Sequence, residues 1–274
     1  MPSRMLASRA MSPELDTRWF DPARINVLVG VLLFVLFLAL NIVRARGAGS
    51  IFIRPIAGLK ALDEAIGRAT EMGRPILYVP GLSDMSEVAT FAAITIFHRV
   101  ARKAADVGCD LEAPCYDPVV ATVMDDSARS AYSLAGRPDA YRPGTVHYVS
   151  AQQFAYVAAV TGYMLRERPA ANIYMGSFYA ESLLLAETGN STGAIQIAGT
   201  DKVTQLPFFI CACDYTLLGE ELFAASAYIG REPVQMATIA AQDWAKAAAA
   251  AAVLAALAAL LLGRPELGAL LQVA

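Results

Sequence analysis

Charge is scarce in this chain. Asp, Glu, Lys and Arg make up 17% of its 274 residues, against about 25% in an average soluble domain, and the formal net charge is only −3. A nucleic-acid-binding surface needs a dense basic stripe. Here the basic residues are scattered, and only four of the 22 are lysine, so no nucleic-acid partner is expected.

The short motifs of several large enzyme classes are also missing. There is no G-x-G-x-x-G after a strand-like run, no Walker A, no G-x-S-x-G elbow and no H-E-x-x-H. Histidine occurs twice, at His98 and His147. Each reads as a packed or surface side chain before it reads as a catalyst. Cys109, Cys115, Cys211 and Cys213 include no C-x-x-C pair, which disfavours a four-cysteine zinc site. They read as small buried residues, with a Cys109–Cys115 disulfide open if the domain faces an oxidising compartment. No metal and no cofactor are expected.

What the chain has in plenty is apolar sequence: 56% of residues, with a mean hydropathy of +0.44. Residues 25–43, INVLVGVLLFVLFLALNIV, carry no charge, and a helix of that length approaches the ~30 Å hydrocarbon core of a bilayer. A transmembrane helix is predicted there, after a polar tail at 1–24 whose Trp19 and Phe20 would sit at the interface. A second, alanine-rich span is predicted at 245–262, with Lys246 and Trp244 at its edge, followed by a tail at 263–274. Its small residues suit close helix packing. Both termini then share one side of the membrane and a domain at 50–243 the other. Arg44, Arg46, Arg54, Lys60, Arg231 and Lys246 on the domain side outnumber Arg9, Arg18, Arg24 and Arg264, so the domain is expected on the cytoplasmic side of an inner membrane.

Within 50–243 a helical pattern ends at Gly73, and short apolar runs then alternate with helical ones. Strands are predicted at 76–79, 119–124, 146–149, 172–175, 194–198 and 208–213, and helices at 86–105, 127–134, 152–166, 178–188 and 217–228. This alternation predicts an α/β fold with a mainly parallel open sheet of about six strands flanked by helices, tethered by the two membrane helices. One link resists: residues 199–207 are too few for a parallel crossover. Either the last strand is antiparallel, or one of the two strand assignments around that link is wrong.

Ligands of open α/β sheets bind beyond the carboxyl ends of the strands. The residues expected there include Asp84, Asp125, Asp126, Ser177, Asp201 and Asp214. They form a candidate acidic rim for a cation or a hydroxylated ligand. The same residue types are the preferred helix caps, and Asp84 to Glu87 and Ser150 to Gln153 have capping-box spacing. Ser177 fits a helix N-cap, with Glu181 near the positive helix end.

Gly176-Ser177-Phe178-Tyr179-Ala180-Glu181-Ser182 through Glu187, the run from Gly219 to Tyr228, Ala198-Gly199-Thr200-Asp201 and Gln242-Asp243-Trp244 together resemble an uncharacterised bacterial membrane-protein family bearing a domain of unknown function. The likeness runs from about Gly73 to Trp244. It implies a membrane-tethered domain and no particular activity. The expectation is therefore an assembly or protein-interaction module, a homo-oligomer or a partner of other membrane proteins, beside the lipid bilayer. The alternative is a small-molecule or metal-binding domain, possibly enzymatic, that uses the acidic rim.

Overall fold

The computed structural model describes residues 25–47, 57–230 and 233–261. The polar tail at 1–24 with Trp19 and Phe20, Arg54, Arg231 and the tail at 263–274 lie outside them. The chain divides into two units, residues 1–43 with 241–274, and residues 44–240.

The larger unit is a doubly wound α/β domain. After helix α2 (Ala57–Met72) its elements run β1 (Ile76–Val79), α3 (Val88–Val107), β2 (Leu111–Cys115), α4 (Pro118–Leu134), β3 (Val146–Tyr148), α5 (Gln153–Glu167), β4 (Ala171–Met175), α6 (Glu181–Ser191), β5 (Ile195–Thr200), α7 (Leu206–Ala212), β6 (Tyr215–Leu218) and α8 (Glu220–Gly230). The six strands form one sheet in the order β3-β2-β1-β4-β5-β6, and every neighbouring pair is parallel. The chain starts in the middle of the sheet, winds out to β3, then returns across β1 to β4 and winds out the other way.

Two cores follow from the period-two alternation of strand side chains. Ile76, Tyr78, Leu111, Ala113, Ile173 and Met175 pack with α2, α3, α4 and α8. Leu77, Val79, Tyr174 and Ala198 pack with α5, α6 and α7. All four residues of β1 are buried, as a central strand covered on both faces requires. The Tyr78 hydroxyl donates to the Ala93 carbonyl at 2.5 Å, so the one polar atom that β1 sends into the core is satisfied.

Two strand assignments are corrected. Residues 119–124 belong to α4. Asp117 stands as its N-cap and accepts from the amides of Val119 and Val120 at 2.9 Å each; Pro118 follows at the first helical position, where its missing N–H has no cost. The strand that pairs with β1 is instead β2, LEAPC, whose Glu112 and Pro114 hide it. The β1–β2 pairing stops at Leu77–Glu112, short of the proline, whose carbonyl takes the Tyr156 hydroxyl at 2.8 Å. Residues 208–213 lie in or at the end of helix α7, and the last strand is β6. The run from β5 to β6 is then long enough for a parallel return, and β6 is parallel.

The membrane tether is corrected as well. Among the described residues no helix is long and apolar enough to cross a membrane. Helix α1 is Ile25–Gly47. Helix α9 (Pro233–Leu261) carries Gln242, Asp243 and Lys246 within it. Past Lys246 the helix is mostly alanine.

The two central loops cross where the winding reverses. Gly176 follows β4 at φ 127° and Gly81 follows β1 at φ 84°, backbone conformations that side chains rarely adopt. A Cβ on Gly81 would stand 2.7 Å from the Ser177 carbonyl oxygen, and one on Gly176 would run into the Pro80 carbonyl. The Leu82 amide donates to the Ser177 carbonyl at 2.9 Å and closes the crossing. Gly176→Ala is expected to cost about 2–3 kcal/mol in urea unfolding of the full chain. Gly136→Ala, at φ 70° with no atom near its Cβ position, is expected to cost about 1 kcal/mol. Equal losses at the two positions would contradict the crossing as the tighter constraint.

Candidate functional site

The loops past β1, β4 and β5 meet at the carboxyl end of the sheet, beside the reversal point where doubly wound folds place their ligands. Gly176 turns the chain so that Ser177 is fully buried, with its hydroxyl donating to Asp201 Oδ1 at 2.8 Å. Lys202 Nζ lies 3.3 Å from Asp201 Oδ2 and 3.8 Å from Glu87 Oε1, with its ammonium 6.0 Å from the Tyr179 ring centre. Burial pulls the Lys202 pKa down, but Asp201 and Glu87 outweigh it, and the net shift is upward. Loop β1–α3, loop β4–α6 and loop β5–α7 are thus joined by one chain of charge-assisted contacts.

Glu181 extends the network. It is the first residue of α6 and is buried. It accepts from the Tyr179 amide at 2.6 Å and from the Gln153 side-chain amide of α5. A buried carboxylate needs such donors. The Ser182 hydroxyl donates to Gln205 Oε1 at 2.7 Å, which ties α6 to the loop before α7.

Of the six residues expected at the rim, the structure brings Ser177 and Asp201 into contact and places Asp84 on the neighbouring loop. Asp84 accepts from the Ser86 amide at 2.9 Å and the Ser86 hydroxyl at 2.5 Å. These two bonds, the hydroxyl's first, hold its pKa below the usual carboxylate value. It orders a turn and leaves the N-cap position of α3 to Glu87. Ser177 is likewise not a helix cap, since α6 starts at Glu181.

Asp125 and Asp126 stand inside α4, away from any strand end. Asp125 accepts from Arg129 Nε at 2.9 Å and from the Tyr141 hydroxyl, and burial together with that bond raises the Tyr141 pKa. Asp214 lies at the opposite end of the sheet, before β6, where it accepts from the Gln196 amide at 2.8 Å. Cys109, just before β2, and Cys115, its last residue, are free, about 20 Å apart along an extended chain. Among the described residues no group of three or more His, Cys, Asp or Glu side chains is assembled to hold a metal.

The sequence reading missed the apolar part of this rim. Val88 and Phe91 at the start of α3, Phe154 at the start of α5 and Val203 past β5 are 66%, 51%, 65% and 74% exposed. Val119, Tyr148, Tyr179, Leu183, Leu184 and Leu218 are exposed around the same end. At the amino end the exposed large apolar residues are Met72, Leu134, Leu165 and Tyr215, and α7, which runs back toward that end, exposes Phe208 and Ile210. A readable signal existed: Phe91 falls out of phase with the Ala89, Ala92, Ala93, Ile96, Phe97 stripe that α3 buries.

The fold and rim define a doubly wound α/β domain with the 3-2-1-4-5-6 strand order also used by dinucleotide-binding domains, a likeness of architecture that carries no activity. A family model described as "Domain of unknown function (DUF6754)" matches residues 15–267, and the chain belongs to that family. No curated protein matches the chain, and no solved structure does.

Ser177→Ala removes one buried bond to Asp201 and is expected to cost about 1–2 kcal/mol in urea unfolding. Asp126→Ala, on the exposed face of α4, is expected to stay within about 0.5 kcal/mol of the parent. A neutral Ser177→Ala would contradict the loop-joining role given to Ser177.

Proposed function

We propose that the α/β domain is a protein-interaction module that self-associates through the carboxyl end of its sheet. The observation that carries this reading is the concentration of exposed large apolar side chains there, set around a charge network already satisfied within the domain. Isolated exposed apolar residues are ordinary, but an apolar patch with a polar setting marks an interaction surface. Asp201, Lys202 and Glu87 answer one another, so what the rim offers a partner is chiefly the apolar area of Val88, Phe91, Phe154 and Val203.

A second copy of this chain is the fitting partner. Two rims brought together on a two-fold axis set apolar side chain against apolar side chain, and the locally neutralised charges leave no strong like-charge repulsion. The aromatic rings of Phe91, Phe154 and Tyr179 are the expected anchors.

Light scattering on the full chain across a dilution series tests this. The parent is expected to scatter as a dimer or larger species. The double variant Phe91→Asp/Phe154→Asp is expected to weaken association at least about tenfold, the effect of losing roughly 1.4 kcal/mol of binding energy. Its circular dichroism and melting temperature should hold, because both side chains are exposed. A parent that is monomeric throughout, or a double variant that associates as the parent does, would overturn the reading.

A further inference from the structure

Away from the charge network, on the α5 side of the β2–β3 edge, the domain has a cleft of about 310 Å³. That is the low end of the volumes that hold small molecules, about 300–1,000 Å³, and leaves room for one ring with a short polar arm. Pro114 of β2 and Val160 and Tyr163 of α5 supply apolar and aromatic wall. Glu112, His147 and Arg166 supply the polar groups.

The hydrogen bonds inside the cleft decide which of these groups a ligand meets. His147 Nδ1 lies 3.3 Å from Glu112 Oε1 and 3.1 Å from the Gly144 carbonyl oxygen. That nitrogen is committed, and Nε2 is the one left over. Burial raises the Glu112 pKa, and the His147 charge draws it back; the carboxylate and the imidazole are each other's counter-group. Glu167, the other carboxylate acting on Glu112, lines the adjoining cleft with Asp110 and Arg142, where Asp110 and Arg142 pair at 3.0 Å.

Arg166 is the charge that stays unanswered. Its guanidinium folds back over Gly162, with Nη1 3.1 Å from where a Cβ at that position would stand. No carboxylate among the described residues pairs with it. The glycine leaves the space that lets this cation lie against α5 at the cleft wall.

We propose that this cleft binds a small aromatic carboxylate, its ring against Tyr163, Pro114 and Val160 and its carboxylate on the Arg166 guanidinium. Arg offers two parallel donors to a carboxylate. Glu112 and the Gly144 carbonyl hold the imidazole by Nδ1, so the ring forms a fixed wall of the cleft.

The test is a titration of the full chain with benzoate, benzylamine and benzyl alcohol, followed by calorimetry and by ligand-observed NMR. Benzoate is expected to bind saturably and the other two to bind at least about tenfold more weakly, the scale of one charge-assisted bond. Arg166→Gln should weaken benzoate about tenfold, and Ala159→Trp, which fills the cleft from an exposed position, should abolish binding. Melting temperatures of Arg166→Gln and Ala159→Trp are expected to match the parent, so a loss of binding is not a loss of fold. No saturable benzoate binding, equal binding by the parent and Arg166→Gln, or a preference for benzylamine (which would make Glu112 the anchor) would each overturn the proposal. Self-association through the rim is read by a different measurement and can fail or stand independently of this one.

Discussion

The pairing of β1 with β4 is the constraint from which the domain follows. The two strands run parallel with four residues of each in register, yet they are separated in the chain by two strands and three helices. A parallel neighbour can be reached only by a crossover, and right-handed crossovers in opposite directions from one central pair put helices on both faces. That is why there are two cores and not one, and why β1 is buried from Ile76 to Val79. The crossing glycines Gly81 and Gly176 belong to the same requirement. The loops leaving the two central strands must pass within van der Waals contact, and neither position has room for a Cβ.

The rim inherits its order from that centre. Once Gly176 turns the chain past β4, the Ser177 hydroxyl meets Asp201 past β5, and Lys202 carries the contact on to Glu87 past β1. Three loops that begin at three different strands are thereby fixed to one another. The first turns of α3, α5 and α6 are held beside them, which presents Phe91, Phe154 and Leu183 outward from a rigid base. A surface of that kind loses little side-chain and loop entropy on association, which is the physical basis for reading it as an interface.

The sequence made the sheet legible where strands were uniformly apolar and hid it where they were not. Strand β1 (Ile76–Val79) stands as read, and β4 and β5 stand within one or two residues. Strand β2 was obscured by Glu112 and Pro114, the second of which falls where pairing with β1 has already ended. Residues 119–124 looked like a strand because Val119, Val120 and Val123 are β-branched. The decisive signal was the pair in front of them, Asp117-Pro118, an N-cap followed by the residue best suited to the first helical position. The short span before residue 208 was a true warning. A parallel return could not fit there, and the resolution was a helix in place of the strand.

The site was legible in part for a similar reason. Ser177 and Asp201 follow strands that were read correctly, so they were placed at the correct end of the sheet. Asp125 and Asp214 were attached to misread strands and went elsewhere with them. Lys202, Glu87 and Gln153 could not be found by position alone, because their role is to answer carboxylates and a hydroxyl brought near only by the winding. The two apolar segments outside the domain show the opposite limit. Composition and length suggested membrane spans, while the described helices contain no stretch long and apolar enough to be one.

Hydrogen exchange on the full chain tests most directly whether the β1–β4 pairing organises the domain. Amides of Leu77, Val79 and Ile173 are expected to be among the slowest to exchange, opening only with the whole domain, while amides of the edge strands β3 and β6 open earlier by local fluctuation. Exchange in β1 as fast as in β3 or β6 would mean that the central pair opens on its own, and the account built on it would be wrong.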